Sequence, residues 1–182
     1  IASCLVGSEM CIRDSCNIIE KLQGKKLGVI DRASSMLCLG FGSKYIDDTY
    51  KGIHNLEVYE FRIHVQCAWR IVNNRLGNII VASEDIYEPK ENGIVPESFD
   101  WELKDNNMFD DKAKKWFELT ENIYVDRIYI NKFKDLFIDF SDNSTFQTFL
   151  NYSSDSECWR IFGKDIINGV KLPHFVVCGN DS

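Results

Sequence analysis

The sequence predicts an α+β domain: a mostly antiparallel sheet in two similar halves, with a short N-terminal helix and a central helix. Residues 58–72 alternate apolar and polar side chains with the period of two that is typical of a half-buried strand. Further strand-like runs, separated by Gly, Asn and Pro, lie on both sides of it. The 182 residues of the chain fit one ordinary domain, which we place at 16–182.

The first half, about 24–85, follows a short helix predicted over 17–24, which Asn17 caps and Gly24 ends. Strands are predicted at 26–31, 36–42, 58–72 and 78–83. The strand 58–72 is the clearest element of the chain. Its apolar face is predicted to hold Phe61, Ile63, Val65, Cys67, Trp69 and Ile71, and its polar face Arg62, His64, Gln66 and Arg70.

Residues 84–111 differ from the rest, because ten acidic residues stand there against Lys90 and Lys104, a local charge of −8. We predict a long irregular segment, followed by a helix over 109–121 with one apolar side. The second half, about 123–178, returns to strands. They are predicted at 123–130, 135–141, 145–151, 157–162 and 173–178.

The two halves echo each other in sequence. LCLGFG at 37–42 is answered by LFIDFS at 136–141, and AWRI at 68–71 by CWRI at 158–161. Such an echo favours two related sheet units that share one core. Aromatic-rich strands also resemble one another through propensity alone, so the alternative of chance similarity stays open.

The same residues carry a family resemblance. HxQCxWRI at 64–71, ASxD at 82–85 and WR at 159–160 resemble a family of small uncharacterised bacterial cytosolic proteins. The resemblance covers nearly the whole chain after residue 17. It implies a cytoplasmic setting in bacteria and implies no catalytic residue.

Residues 1–15 are expected to lie outside the domain. The string CLVGSEMCIRDS at 4–15 resembles translated sequencing-adapter read-through, so we expect the segment to be non-native and exclude it from fold reasoning. Its two cysteines therefore carry no inference. We read Cys38, Cys67 and Cys178 as buried free thiols, since they lie in apolar strand-like runs and none of the seven cysteines stands in a Cys-x-x-Cys pair.

Several functional classes are not expected from this sequence. The net charge of −7 disfavours binding to nucleic acid, and no apolar run is long enough to span a membrane. Metal-ligand spacings and a dinucleotide loop are lacking, so we expect no metal and no cofactor. His64 with Asp85 would be a base and its orienting carboxylate, but no nucleophile motif accompanies them. We therefore assign no catalytic residue.

Our leading hypothesis is a non-enzymatic protein-binding module, and more narrowly an immunity or antitoxin-like protein that masks a basic partner. Aromatic side chains interleaved with carboxylates are typical of such interfaces, and opposite charge speeds the encounter. A solvated loop is the simpler interpretation of the same segment. The predicted partner-binding residues are Glu91, Glu97, Phe99, Asp100, Trp101, Glu102 and Asp105.

The alternative is a small-anion-binding or enzymatic domain that uses the polar face of strand 58–72. Arg62, His64, Gln66 and Arg70 would project to one side, and arginine binds carboxylate and phosphate groups in a bidentate manner. A solvated sheet face, with its arginines paired to nearby carboxylates, is the competing interpretation. The sequence leaves open whether the strands form one barrel-like sheet or two packed sheets, and gives no oligomeric state.

Overall fold

The computed structural model describes residues 18–47, 56–90, 97–120, 122–163 and 174–180. These residues form two five-stranded antiparallel sheets with few helices, which confirms the predicted α+β class. The strands are β1 (Leu27–Ala33), β2 (Met36–Asp47), β3 (Leu56–Val65), β4 (Ala68–Asn73), β5 (Asn78–Ala82), β6 (Val125–Ile130), β7 (Leu136–Phe140), β8 (Ser144–Phe149), β9 (Glu157–Gly163) and β10 (Phe175–Cys178).

Within the described residues, three helical elements accompany the sheets. Helix α1 covers 18–22, a 3-10 helix covers Ser83–Tyr87, and α2 covers Met108–Leu119. The Asn107 side chain caps α2 by accepting a hydrogen bond from the Asp110 backbone N–H at 3.0 Å, as N-terminal caps do. The start of the acidic segment 84–111 is thus less irregular than predicted, since the 3-10 helix covers its first four residues, whereas the helix at its end was predicted.

The first sheet has the order β1-β2-β3-β9-β10 and the second the order β5-β4-β8-β7-β6. Their inner faces contribute to one cluster of buried apolar side chains. Helix α2 packs Phe109 edge-on against Trp69, with ring centroids 5.7 Å apart, and sets Trp116 against Phe140 at 5.8 Å. The sequence left the two-sheet arrangement open, and the structure has two sheets over one core.

The prediction of a single strand over 58–72 is wrong, because β3 ends at Val65 and β4 begins in the other sheet. At the break, the backbone N–H groups of Gln66 and Cys67 both donate to the Cys158 carbonyl, at 2.8 and 3.1 Å. Two residues opposite one is the geometry of a bulge, which bends a strand. The alternation runs on unbroken across the bend because both strands bury one face in the same core.

The two sheets have the same strand order when the numbering is shifted by five. In the first sheet β1, β2 and β3 are followed by β9 and β10, and in the second β6, β7 and β8 are followed by β4 and β5. The echoed runs lie on β2 and β7, and on β4 and β9, which are equivalent positions in this scheme. Duplication of an ancestral unit would produce such an order, and the related origin of the halves stays a prediction.

Candidate functional site

A buried ion pair fixes the acidic segment to the first sheet. Arg32 on β1 donates from Nε to Oδ1 of Asp110 at 2.9 Å and from Nη2 to Oδ2 at 3.0 Å. The two side chains are only 5% and 8% exposed, so water screens their attraction weakly. Hydrogen bonding to the Asp110 carboxylate raises the pKa of the Arg32 guanidinium. The start of α2 is therefore held against β1.

Hydrogen bonds fix the backbone of the turns before α2. Arg32 Nη2 donates to the Leu103 carbonyl at 3.0 Å, and the Asp105 N–H donates to Oδ2 of Asp110 at 2.8 Å. The Asn106 side chain donates to the Asp100 carbonyl at 2.7 Å. Four residues that the sequence presents as a loop, Asp100, Leu103, Asp105 and Asn106, are thus joined into a defined surface.

Apolar side chains are exposed on that surface. Tyr87, at the end of the 3-10 helix, is 45% exposed and contacts Trp101 edge-on, with ring centroids 5.0 Å apart. Leu103 is 57% exposed. Trp101 itself is half-buried and packs against the core. The ring contact joins residues 84–88 to residues 97–105, which the sequence separates.

Cationic side chains of the same chain neutralise part of the acidic charge of residues 84–111. Asp85 bonds to Lys112 at 3.0 Å, Asp111 bonds to Lys115 at 2.7 Å, and Asp110 bonds to Arg32. Within the described ranges, the remaining acidic residues of the segment have no cationic nitrogen within 4.0 Å. These six unpaired acidic residues, all of them exposed, are Glu84, Glu88, Glu97, Asp100, Glu102 and Asp105.

The predicted partner-binding residues divide into three groups. Glu97, Asp100, Glu102 and Asp105 are exposed, whereas Phe99 and Trp101 are half-buried. Glu91 lies outside the described residues. The sequence missed Tyr87 and Leu103, because nothing in the chain order indicates that the 3-10 helix lies against residues 97–105.

The second candidate surface is the outer face of the first sheet. In the register of the strands, His64 on β3 stands between Cys38 on β2 and Arg160 on β9. Arg62 stands between Gly40 and Phe162 in the same way. These side chains point away from the core side of the sheet, which buries their neighbours Ile63 and Ile161.

Rings and cations gather around Phe162 on this face. The Arg62 guanidinium carbon lies 4.5 Å from the centroid of the Phe162 ring, a cation–π distance. The His64 ring meets Phe162 edge-on at 4.7 Å, and the His174 ring lies 5.1 Å away on a tilt. Phe162 is only 6% exposed although it faces outward, because these side chains cover it.

The polar face predicted for 58–72 is not one surface. Arg70 lies on the second sheet, where Nε donates to the Gln147 side chain at 2.8 Å and the guanidinium lies over Phe149. The Gln66 side chain donates to Glu157 at 3.2 Å, and Glu157 also accepts two hydrogen bonds from Arg160. The structure therefore brings Arg62 and His64 together, places Gln66 beside them through Glu157, and separates Arg70.

Two titratable groups of this face, His64 and Cys38, are neutral near pH 7. Burial lowers the pKa of His64, and the positive charges of Arg160 and Arg62 lower it further. Burial, with a smaller contribution from Asp31, raises the pKa of the Cys38 thiol to about 11. Cys38 is thus a thiol rather than a thiolate nucleophile. Asp85, considered as an orienting partner of His64, instead accepts from the Ala82 N–H and from Lys112.

A cavity of about 270 Å³ lies near the end of α2, beside Lys26 and Phe117. It coincides neither with the acidic segment nor with the outer face of the first sheet. In the part of the chain that the structure describes, no cluster of three or more His, Cys, Asp or Glu side chains is arranged to hold a metal ion. Across the same residues, no helix has the length and apolar character needed to cross a membrane.

Comparison of the chain with protein-family models, with curated proteins and with solved structures gives no match. The resemblance to small bacterial cytosolic proteins stays a prediction. The functional assignment therefore depends on the two surfaces themselves.

Proposed function

We propose that the chain is a non-enzymatic protein-binding module whose acidic surface binds a basic partner. The acidic surface consists of Tyr87 and Leu103 together with the six unpaired carboxylates Glu84, Glu88, Glu97, Asp100, Glu102 and Asp105. One observation carries the proposal: exposed apolar side chains lie among carboxylates that no cation of the described chain neutralises. A basic partner would supply the missing countercharges.

The hydrogen-bonded backbone strengthens the proposal. Ordering a loop on binding costs conformational entropy, which reduces affinity. Here the Arg32–Asp110 ion pair and the bonds to Leu103 and Asp105 already hold residues 103–110 in place in the free protein. A surface fixed in advance retains more of the binding energy of Tyr87 and Leu103. Exposed carboxylates around them would attract a basic protein and raise the association rate.

An immunity or antitoxin-like role is the narrower form of the proposal. An inhibitor of that kind neutralises a basic protein by covering its cationic surface, which requires charge, preorganisation and an apolar centre. All three features belong to the acidic surface. Because that activity is binding alone, it does not call for a catalytic group.

The test compares two double variants of the full chain in affinity capture from bacterial lysate, followed by binding measurements with the purified captured protein. Glu97→Lys with Glu102→Lys reverses two carboxylates of the acidic surface. Glu118→Lys with Asp126→Lys makes the same change of charge at exposed positions on α2 and β6. We expect the first variant to lower the association rate about tenfold or more at low salt, and the control to change it little.

Salt supplies a second criterion, since exposed charges are screened over about 10 Å at 0.1 M. The rate for the natural chain should fall as salt rises, and the rate for the Glu97/Glu102 variant should depend on salt less. A captured basic protein that binds both variants as tightly as the natural chain would refute the proposal.

A further inference from the structure

The outer face of the first sheet contains an arginine without an acceptor. Arg62 Nε is buried and has no hydrogen-bond partner among the residues that the structure describes. No carboxylate of the described chain lies within 4.0 Å of its guanidinium. Buried donors are almost always satisfied, so an exception needs a cause. A ligand that accepts from Nε is such a cause.

The other arginines on the two sheets do have hydrogen-bond acceptors. Arg32, Arg127 and Arg160 each donate to a carboxylate. Arg70 donates to an amide oxygen. Arg62, Arg70 and Arg127 each lie over an aromatic ring, and of these three only Arg62 has an Nε without an acceptor among the described residues.

We propose that Arg62 and His64 form a binding site for a small anion, a carboxylate or a phosphoryl group. The planar fork of Arg62 is oriented by its stacking on Phe162 and matches the paired oxygens of such groups. His64, its neighbour two residues along β3, offers a neutral imidazole that donates one further hydrogen bond. The site lies on a different element from the acidic surface and does not depend on it.

Neighbouring residues position the site without supplying its charge. Glu157 accepts from Arg160 through both carboxylate oxygens, so this pair contributes little net charge. The Phe162 ring sits under Arg62 and against His64, which restricts the rotamers of both. Because β3 and β9 come from opposite halves of the chain, the site exists only in the folded protein.

The test is nuclear magnetic resonance of the full chain, observing the Nε–H of each arginine and the imidazole of His64. Inorganic phosphate and acetate are titrated separately at constant ionic strength. We expect a saturable shift at Arg62 Nε–H with a dissociation constant of about 1 mM or below for at least one probe. A saturable shift with phosphate but not with acetate would identify a phosphoryl ligand. A shift with acetate but not with phosphate would identify a carboxylate ligand. The absence of a saturable shift with either would overturn the proposal.

Variants locate the binding. Arg62→Gln should weaken it about 10- to 100-fold, as expected for the loss of a charge-assisted hydrogen bond. Arg62→Lys keeps the charge without the fork and should also bind more weakly. Arg70→Gln removes an arginine from the outer face of the other sheet and should leave binding unchanged. Equal weakening by Arg70→Gln would show non-specific attraction and reject the site.

Discussion

The Arg32–Asp110 ion pair allows a quantitative prediction that the two partners are not equivalent. Asp110→Ala leaves the Arg32 guanidinium, 5% exposed, without its carboxylate. Removing one partner of a buried pair costs about 3–5 kcal/mol of unfolding free energy. The change also removes the acceptor of the Asp105 N–H and an acidic side chain from the first turn of α2. We therefore expect a loss at the upper end of that range.

Arg32→Met should cost less, about 2–3 kcal/mol. The Asp110 carboxylate that remains still accepts from the Asp105 N–H at 2.8 Å and still faces the positive end of the α2 dipole. For a chain of this length, 1 kcal/mol shifts the melting temperature by about 2–4 °C. Asp110→Ala, with a loss of about 5 kcal/mol, should therefore lower it by about 10–20 °C, and Arg32→Met by less.

Urea unfolding followed by circular dichroism measures both losses. The control is Lys115→Met, which breaks the exposed pair with Asp111 on the same helix and should cost about 0.3–0.5 kcal/mol. Losses of about 1 kcal/mol or less for both Asp110→Ala and Arg32→Met would refute the assignment of a buried, stabilising pair. A greater loss for Arg32→Met would refute the predicted asymmetry.

Two further predictions concern the first sheet. A Cβ atom at Gly40 would meet the Tyr59 ring at 2.5 Å, so Gly40→Ala should cost about 1–3 kcal/mol in urea unfolding. In a Tyr59→Leu background the same change should cost less, because only the Val29 contact at 2.8 Å remains, and additive losses would contradict the steric cause. Because the folded chain lowers the pKa of His64 below 6.5, the unfolded chain binds that proton more readily, and stability should fall as the pH drops below 6.5. The His64→Gln variant should show a shallower fall between pH 7 and pH 5, and an identical slope would contradict the assignment.

Much of the fold follows from local patterns in the sequence. Alternation identified β3 and β4 as strands with their core faces, and the apolar side of 109–121 identified α2 to within two residues of its ends. The turn at Asn73–Gly77 was visible because those residues favour turns. These features depend on near neighbours in the chain, and a single sequence displays them directly.

The surfaces were harder to predict because they depend on distant pairs. Arg32 and Asp110 are 78 positions apart, and no local pattern links them. The alternation of apolar and polar residues predicted Arg70 on the same surface as Arg62. Such alternation shows which side of a strand faces the core, but it does not show to which sheet the strand belongs. The bend at Gln66 therefore divided a site that the sequence presented as one row.

The exchange of strands between the halves has a consequence for synthesis on the ribosome. Strand β3 is complete early, but its partner β9 emerges only after almost the whole second half. Until then β3 presents an unpaired edge, which is a template for aggregation. The first sheet therefore cannot be completed until β9 has been synthesised. Truncation anywhere before β9 should therefore yield an insoluble product rather than a smaller domain.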